Sequence, residues 1–239
     1  MQSGPAWYEL SIDGGGTYWL TVRRAVVLGR SSGVPAAGGF GDGGEGEHAR
    51  SLIGDGASMV DGRGARDGEA FLPLLGPVAR RHARIVDEGE GHRLEAFADC
   101  TVESRSVRGA VWLPSSARIA LAGLTIRFAR PQPATNTAVL RFDEPNRTVF
   151  SVDGVVLYSD ILLIGGGRSH LSCGLEPEVL LVANGTAQTG GPVFRLGVQS
   201  PGTPAGATVC QIPPDGGCCQ VEGRMICIRP LGDSESDGA

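Results

Sequence analysis

An internal repeat constrains this chain more than any other feature of its sequence. In the first half, Leu113-Pro114 is followed by Ile119, Leu121, Gly123, Ile126 and Phe128; in the second, Ile212-Pro213 is followed by Cys219, Val221, Gly223, Ile226 and Ile228. Measured from the glycine, apolar residues stand four and two before it and three and five after it, both times. That pattern is a period-two strand, a glycine-containing turn and a second period-two strand. Further upstream, Val26 to Gly29 matches Leu162 to Gly165, and His82 to Ile85 matches His170 to Cys173. The chain therefore reads as two copies of one all-β module of roughly 90 residues.

Composition agrees with strands and turns. Of 239 residues, 38 are Gly and 15 Pro, while apolar residues still make up 41%, too many for a disordered chain. Residues 31–70 are the exception, with twelve Gly, seven acids and three Arg, and they read as a long Gly-rich flexible insertion. The expected organisation is all-β, with two tandem β-sandwich domains. The first spans 1–131 with the insertion at 31–70, the second 137–231, and 232–239 is an acidic tail. Arg130 to Ala134 reads as a short Pro-stiffened linker between them.

Charge and residue usage exclude several functions. All 21 basic residues are Arg, so a Schiff-base lysine, a P-loop lysine and a Ser-Lys pair are impossible. A net charge of −5 argues against nucleic acid as a partner. The first residues carry no basic n-region or apolar h-region, and no apolar run reaches the roughly 18 residues of a membrane span, so a cytoplasmic protein without membrane contact is expected. On that basis the six cysteines are expected as reduced thiols. Four of them (Cys210, Cys218, Cys219 and Cys227) follow a C-x7-CC-x7-C pattern that does not match zinc-site spacing, so no metal or other cofactor is expected. Cys219 takes the place of the core residue Ile119 in the repeat and reads as a buried, inert thiol. Neither glycine triplet, Gly14 to Gly16 or Gly165 to Gly167, opens a helix after a strand. Both read as hairpin turns, and no catalytic motif is found, so an enzyme is not expected.

Two places suggest recognition instead. Gly29-Arg30 closes an apolar strand, and in Val78 to Ile85 three Arg and a His enter another. Arg suits bidentate phosphate or carboxylate contact, and loops at one end of a sandwich could bring Arg30 and Arg80 to one surface. The competing reading is a solvated rim whose Arg pair with the acids at 87–90, with His82 hydrogen-bonding backbone.

At these residues the sequence resembles the forkhead-associated (FHA) family of β-sandwiches, which bind phosphothreonine peptides through loops at one end. Leu28-Gly29-Arg30 matches its Gly-Arg element, and Ala79 to Ile85 matches its Ser-Arg-x-His-Ala-x-Ile element with Ala79 in place of Ser. Asp99-Cys100-Thr101 stands where Asn-Gly-Thr is found, and Leu113 to Phe128 matches the last two strands. The resemblance implies a phosphopeptide or anion site formed by Arg30, Ala79, Arg80, Asp99 and Thr101, with Gly29 and His82 structural. Ala79 lacks the hydroxyl donor, and Asp99 sets a carboxylate near the phosphate. The expectation is a protein-interaction module with a degenerate phosphate site, an adaptor in Ser/Thr-kinase signalling; the alternative is a phospho-independent structural scaffold. The second copy lacks the Arg after Gly165-Gly166 and has Gly167 where Ser belongs. His170 is then a structural remnant, and Asn184 to Thr186 reads as a hairpin turn.

Overall fold

The computed structural model describes residues 4–30, 68–143, 148, 151–174, 178–186, 191–199 and 208–231. The 31–70 insertion thus lies outside the described residues except for its last three. Of these, Glu69 and Ala70 already belong to a strand, because their side chains point into packed structure. The acidic tail lies wholly outside them.

The chain is all-β, and its strands build three layers. The first outer sheet has five strands in the order β4 (Glu69–Leu74), β3 (Ala25–Arg30), β5 (Ala83–Asp87), β6 (His92–Ala96) and β9 (Ala110–Leu113). The second repeats that order with the equivalent strands: β15 (Leu171–Ser172), β14 (Ile161–Gly165), β16 (Glu178–Thr186), β17 (Pro192–Gln199) and β18 (Thr208–Ile212). Between them runs a ten-stranded sheet. One half holds β19 (Gly217–Val221), β20 (Arg224–Leu231), β1 (Trp7–Ile12) and β2 (Gly16–Thr21). The other holds β13 (Gly154–Leu157), β12 (Ala138–Phe142), β11 (Leu124–Ala129), β10 (Ser116–Leu121), β7 (Cys100–Val102) and β8 (Arg105–Val107).

The repeat motif folds as two equivalent hairpins, β10–β11 and β19–β20. Ala122 and Gly123 turn the first with φ of 46° and 86°, and Glu222 and Gly223 turn the second with 50° and 78°. Two successive positive φ values are the backbone of a type I′ turn, which matches strand twist.

The N-terminal hairpins of the two repeats have changed places. β1 pairs with β20, the last strand of the second repeat, while β12 pairs with β11, the last of the first. The boundary placed at 131–137 therefore falls between hydrogen-bonded neighbours and does not separate two bodies. The linker itself is pinned: Arg130 Nη1 donates to Asn136 Oδ1 at 2.6 Å, Asn136 Nδ2 to Asp87 Oδ1 at 2.6 Å, and Gln132 Nε2 to the Arg168 carbonyl at 2.6 Å. β2 and β13 meet in parallel at the middle of the long sheet. There, both faces are covered. Trp19, Val155 and Leu157 enter the core under the first outer sheet, while Tyr18, Leu20 and Val156 enter the core under the second.

The cysteines differ from expectation. Cys210–Cys219 and Cys218–Cys227 are disulfides, and only Cys100 and Cys173 are free. The reason is strand geometry: consecutive residues of a strand face opposite ways, so Cys218 and Cys219 reach different partners. Cys218 is the direct cross-strand neighbour of Cys227, whereas Cys219 faces the core and meets Cys210 of the outer sheet, with Cα atoms 6.3 Å apart. Two further readings change. Gly165 to Gly167 do not turn a hairpin, because β15 runs parallel to β14. Asn184 to Thr186 are the irregular end of β16, where pairing with β17 shifts register. Among the described residues, no helix is long and apolar enough to cross a membrane.

Candidate anion-binding site

Three segments converge at one end of the first sandwich: the end of β3 at Arg30, the β4–β5 loop and the β6–β7 loop. His82, almost fully buried just before β5, ties them together. Its Nδ1 accepts the Ala79 N–H at 3.1 Å, so its Nε2 carries the proton and donates to the Asp99 carbonyl at 2.8 Å. Its own N–H donates to the Leu28 carbonyl at 2.8 Å, and its carbonyl accepts the N–H groups of Phe97 at 2.9 Å and Ala98 at 3.1 Å. Every polar group of this residue is spent on holding loops, which is what makes an exposed rim rigid enough to recognise a ligand.

Gly29 has a separate steric role. A Cβ at this position would overlap the Arg80 carbonyl oxygen and press on Phe71, so only glycine lets β3 pass under the β4–β5 loop. The close approach is locked by the Arg30 N–H donating to the Ala79 carbonyl at 3.1 Å. Arg30, Ala79, His82 and Asp99 are thus joined by one continuous chain of hydrogen bonds.

The arginines divide into two groups. Arg81 pairs with Glu69 at 3.1 Å and lies over the Phe97 ring, 5.5 Å from its centroid. Arg84 pairs with Glu69 at 2.7 Å and Glu95 at 2.6 Å, and the Glu69 hydrogen bond, ahead of the Glu95 contacts, raises its already high pKa. Arg93 pairs with Glu88 at 2.6 Å. Arg30 and Arg80, by contrast, have no carboxylate partner among the described residues. Arg80 is exposed and Arg30 half-buried. The acids at 87–90 engage neither: Asp87 accepts from Asn136, Glu88 pairs with Arg93, and at Glu90 it is the backbone carbonyl that accepts from Arg130.

The other expected site residues are distributed unevenly. Ala79 and Asp99 are exposed on the same rim, with the Asp99 carbonyl held by His82. The Asp99 charge, after burial, also helps push the neighbouring Cys100 thiol up. Thr101 lies within β7, paired with Ala120 and Ser106, and is half-buried. Glu69 was missed in the sequence because it borders the Gly-rich insertion. Its side chain, only 6% exposed, neutralises two of the three arginines beside the rim. An acid opening an apolar strand was the available signal.

The second sandwich does not repeat this frame: His82 stands just before β5, which runs antiparallel to β3, whereas His170 stands just before β15, which runs parallel to β14 in the place β4 takes in the first, so the sequence pairing of His82–Ile85 with His170–Cys173 is not kept. His170 Nδ1 accepts the Leu163 N–H at 3.0 Å, and burial lowers its pKa to about 4. Arg168 follows Gly167 on an exposed turn.

Comparison of this chain with known protein families, with curated proteins and with solved structures finds no match. The chemistry of the rim is what remains to read function from.

Proposed function

We propose that this chain is a protein-interaction module that holds a phosphorylated threonine peptide between Arg30 and Arg80, in the manner of an FHA domain with a weakened site. The observation that carries the reading is the pair of unpartnered guanidinium groups on a rim that His82 makes rigid. Arg suits bidentate contact with phosphate, and these two stand without a carboxylate partner beside Arg81 and Arg84, which are paired with Glu69. Ala79 supplies no hydroxyl, and Asp99 repels a dianion, so affinity is lower than a complete site would give. A second reading, a phospho-independent scaffold, is favoured by the same Ala79 and Asp99.

The adaptor role in Ser/Thr-kinase signalling belongs to the first reading. It must be reconciled with two disulfides, which persist in oxidising compartments rather than in the cytoplasm expected from the sequence.

The test is fluorescence anisotropy with a phosphothreonine peptide library and its unphosphorylated counterpart. Phosphate-dependent binding that Arg30→Ala and Arg80→Ala each weaken supports the proposal. Ala79→Ser restores one charge-assisted hydrogen bond, worth roughly 1.5–3 kcal/mol, and should tighten binding about tenfold or more. Equal binding of both libraries leaves the scaffold reading standing and overturns the first.

A further inference from the structure

At the far edge of the first sandwich both of its sheets stop and leave a groove. β9 is the last strand of the outer sheet and β8 the last of the central sheet, and only Arg108 and Gly109 join them. Gly109, with φ of 83°, makes that corner, and its carbonyl accepts the Ala96 N–H at 2.7 Å. Between the two edges opens a groove of about 630 Å³, floored by Val102, Val107, Val111 and Pro114 and flanked by Arg105 and Arg108.

Three observations say what fits it. The edge of β9 away from β6 has no strand beside it among the described residues, so its backbone groups are available for pairing. The side chains of β9 alternate between the groove, where Val111 is half-exposed, and the outer surface, where Trp112 is 56% exposed. A strand laid along β9 would cover both. Finally, Arg105 and Arg108 are exposed and have no carboxylate partner among the described residues, and they outnumber the one acid in the lining, Glu103, which keeps its charge while accepting the Arg118 backbone N–H at 2.6 Å. On a chain of net charge −5 this edge is locally positive.

The repeat supplies a control within the same molecule. Counting back from Leu113-Pro114 and Ile212-Pro213, Val111 is the equivalent of Cys210. In the second sandwich Cys210 is bonded to Cys219, which ties the last strand of that outer sheet to the central sheet, whereas the equivalent positions in the first, Val111 and Ile119, carry no covalent tie.

We propose that this edge takes an extended acidic peptide, which adds to the outer sheet as a sixth strand beside β9. Alternate apolar side chains of the peptide enter the groove over Val107 and Val111, and its carboxylates meet Arg105 and Arg108. Backbone pairing supplies the register and the two arginines the charge selectivity. This site is distinct from the phosphate rim and does not depend on it.

The probe is a fluorescein-labelled peptide of four Asp-Val repeats, with Lys-Val and Asp-Gly peptides of equal length beside it. Saturable binding of the Asp-Val peptide alone, weakened at least tenfold by 0.5 M salt, is expected. Arg105→Glu with Arg108→Glu should abolish it and bring up binding of the Lys-Val peptide, which also shows that the variant is folded. N-methylation of alternate peptide amides should cost at least tenfold. Equal binding of all three peptides, unchanged binding after the double substitution, or indifference to N-methylation overturns the proposal, as does no binding at all.

Discussion

Acid should unfold this protein through its buried histidines before its carboxylates are protonated. His92 on β6 is 2% exposed, stands edge-on to Phe128 with ring centroids 5.2 Å apart, and has no partner for Nδ1. Burial lowers its pKa from 6.5 to about 4, against a partial pull upward from Asp87 and with a small further push from Arg130. The folded state therefore binds its proton more weakly than the unfolded chain does. Stability is full above pH 6.5 and falls as pH drops towards 4. From these two values His92 alone removes about 2 kcal/mol between pH 7 and pH 5, and about 3 by pH 4. His170, lowered in the same way, acts in the same direction. Urea titrations followed by tryptophan fluorescence, repeated at half-unit steps from pH 7.5 to pH 4.5, give the protons taken up on unfolding from the slope. His92→Leu should reduce that uptake by nearly one proton near pH 5.5, whatever packing energy the swap costs at pH 7.5. A slope that the variant leaves unchanged, or stability that stays flat from pH 7 to pH 5, would refute the burial argument.

Other perturbations address other links. Gly29→Ala drives a methyl into the Arg80 carbonyl oxygen, so calorimetry should find it less stable by about 3 kcal/mol, with phosphopeptide binding lost as well. A thiol titration in denaturant without reductant should count two free groups per chain, Cys100 and Cys173; six would remove both disulfides. Expressed separately, residues 1–131 and 137–239 should each lack a cooperative unfolding transition, because β1 loses β20 and β12 loses β11. Cooperative unfolding of either piece alone would contradict the exchanged arrangement.

The parts of this fold legible in the sequence were those set by local pattern. The hairpins around Gly123 and Gly223 announced themselves because glycine sits where φ must be positive and apolar residues alternate on both sides. The β7–β8 hairpin did not, since Glu103 and Ser104 turn it with φ of 50° and 63° and no glycine marks the place. Hairpin exchange was hidden for another reason. β1 and β12 are each apolar enough to complete either sandwich, and nothing in Trp7 to Ile12 specifies which last strand it will lie against. The double-faced burial of β2 was visible only as an apolar run that fails to alternate, Tyr18-Trp19-Leu20. At the rim, Gly29, Arg30, Arg80 and His82 could be picked out by residue type and spacing. Which arginines were already neutralised depended on Glu69 and Glu95, brought in from other strands, and no spacing rule contains that.

The exchanged hairpins also bear on how such a chain can change over generations. Tandem modules are ordinarily gained and lost whole, because each carries its own core. Here a deletion of either repeat would remove a hairpin that the surviving repeat needs, so the pair is inherited together or not at all. What the second repeat gives to the core under the first outer sheet is Ala138 and Leu140 of β12 and Val155 and Leu157 of β13. Each repeat thereby depends on the other through a shared sheet as well as through the chain that joins them.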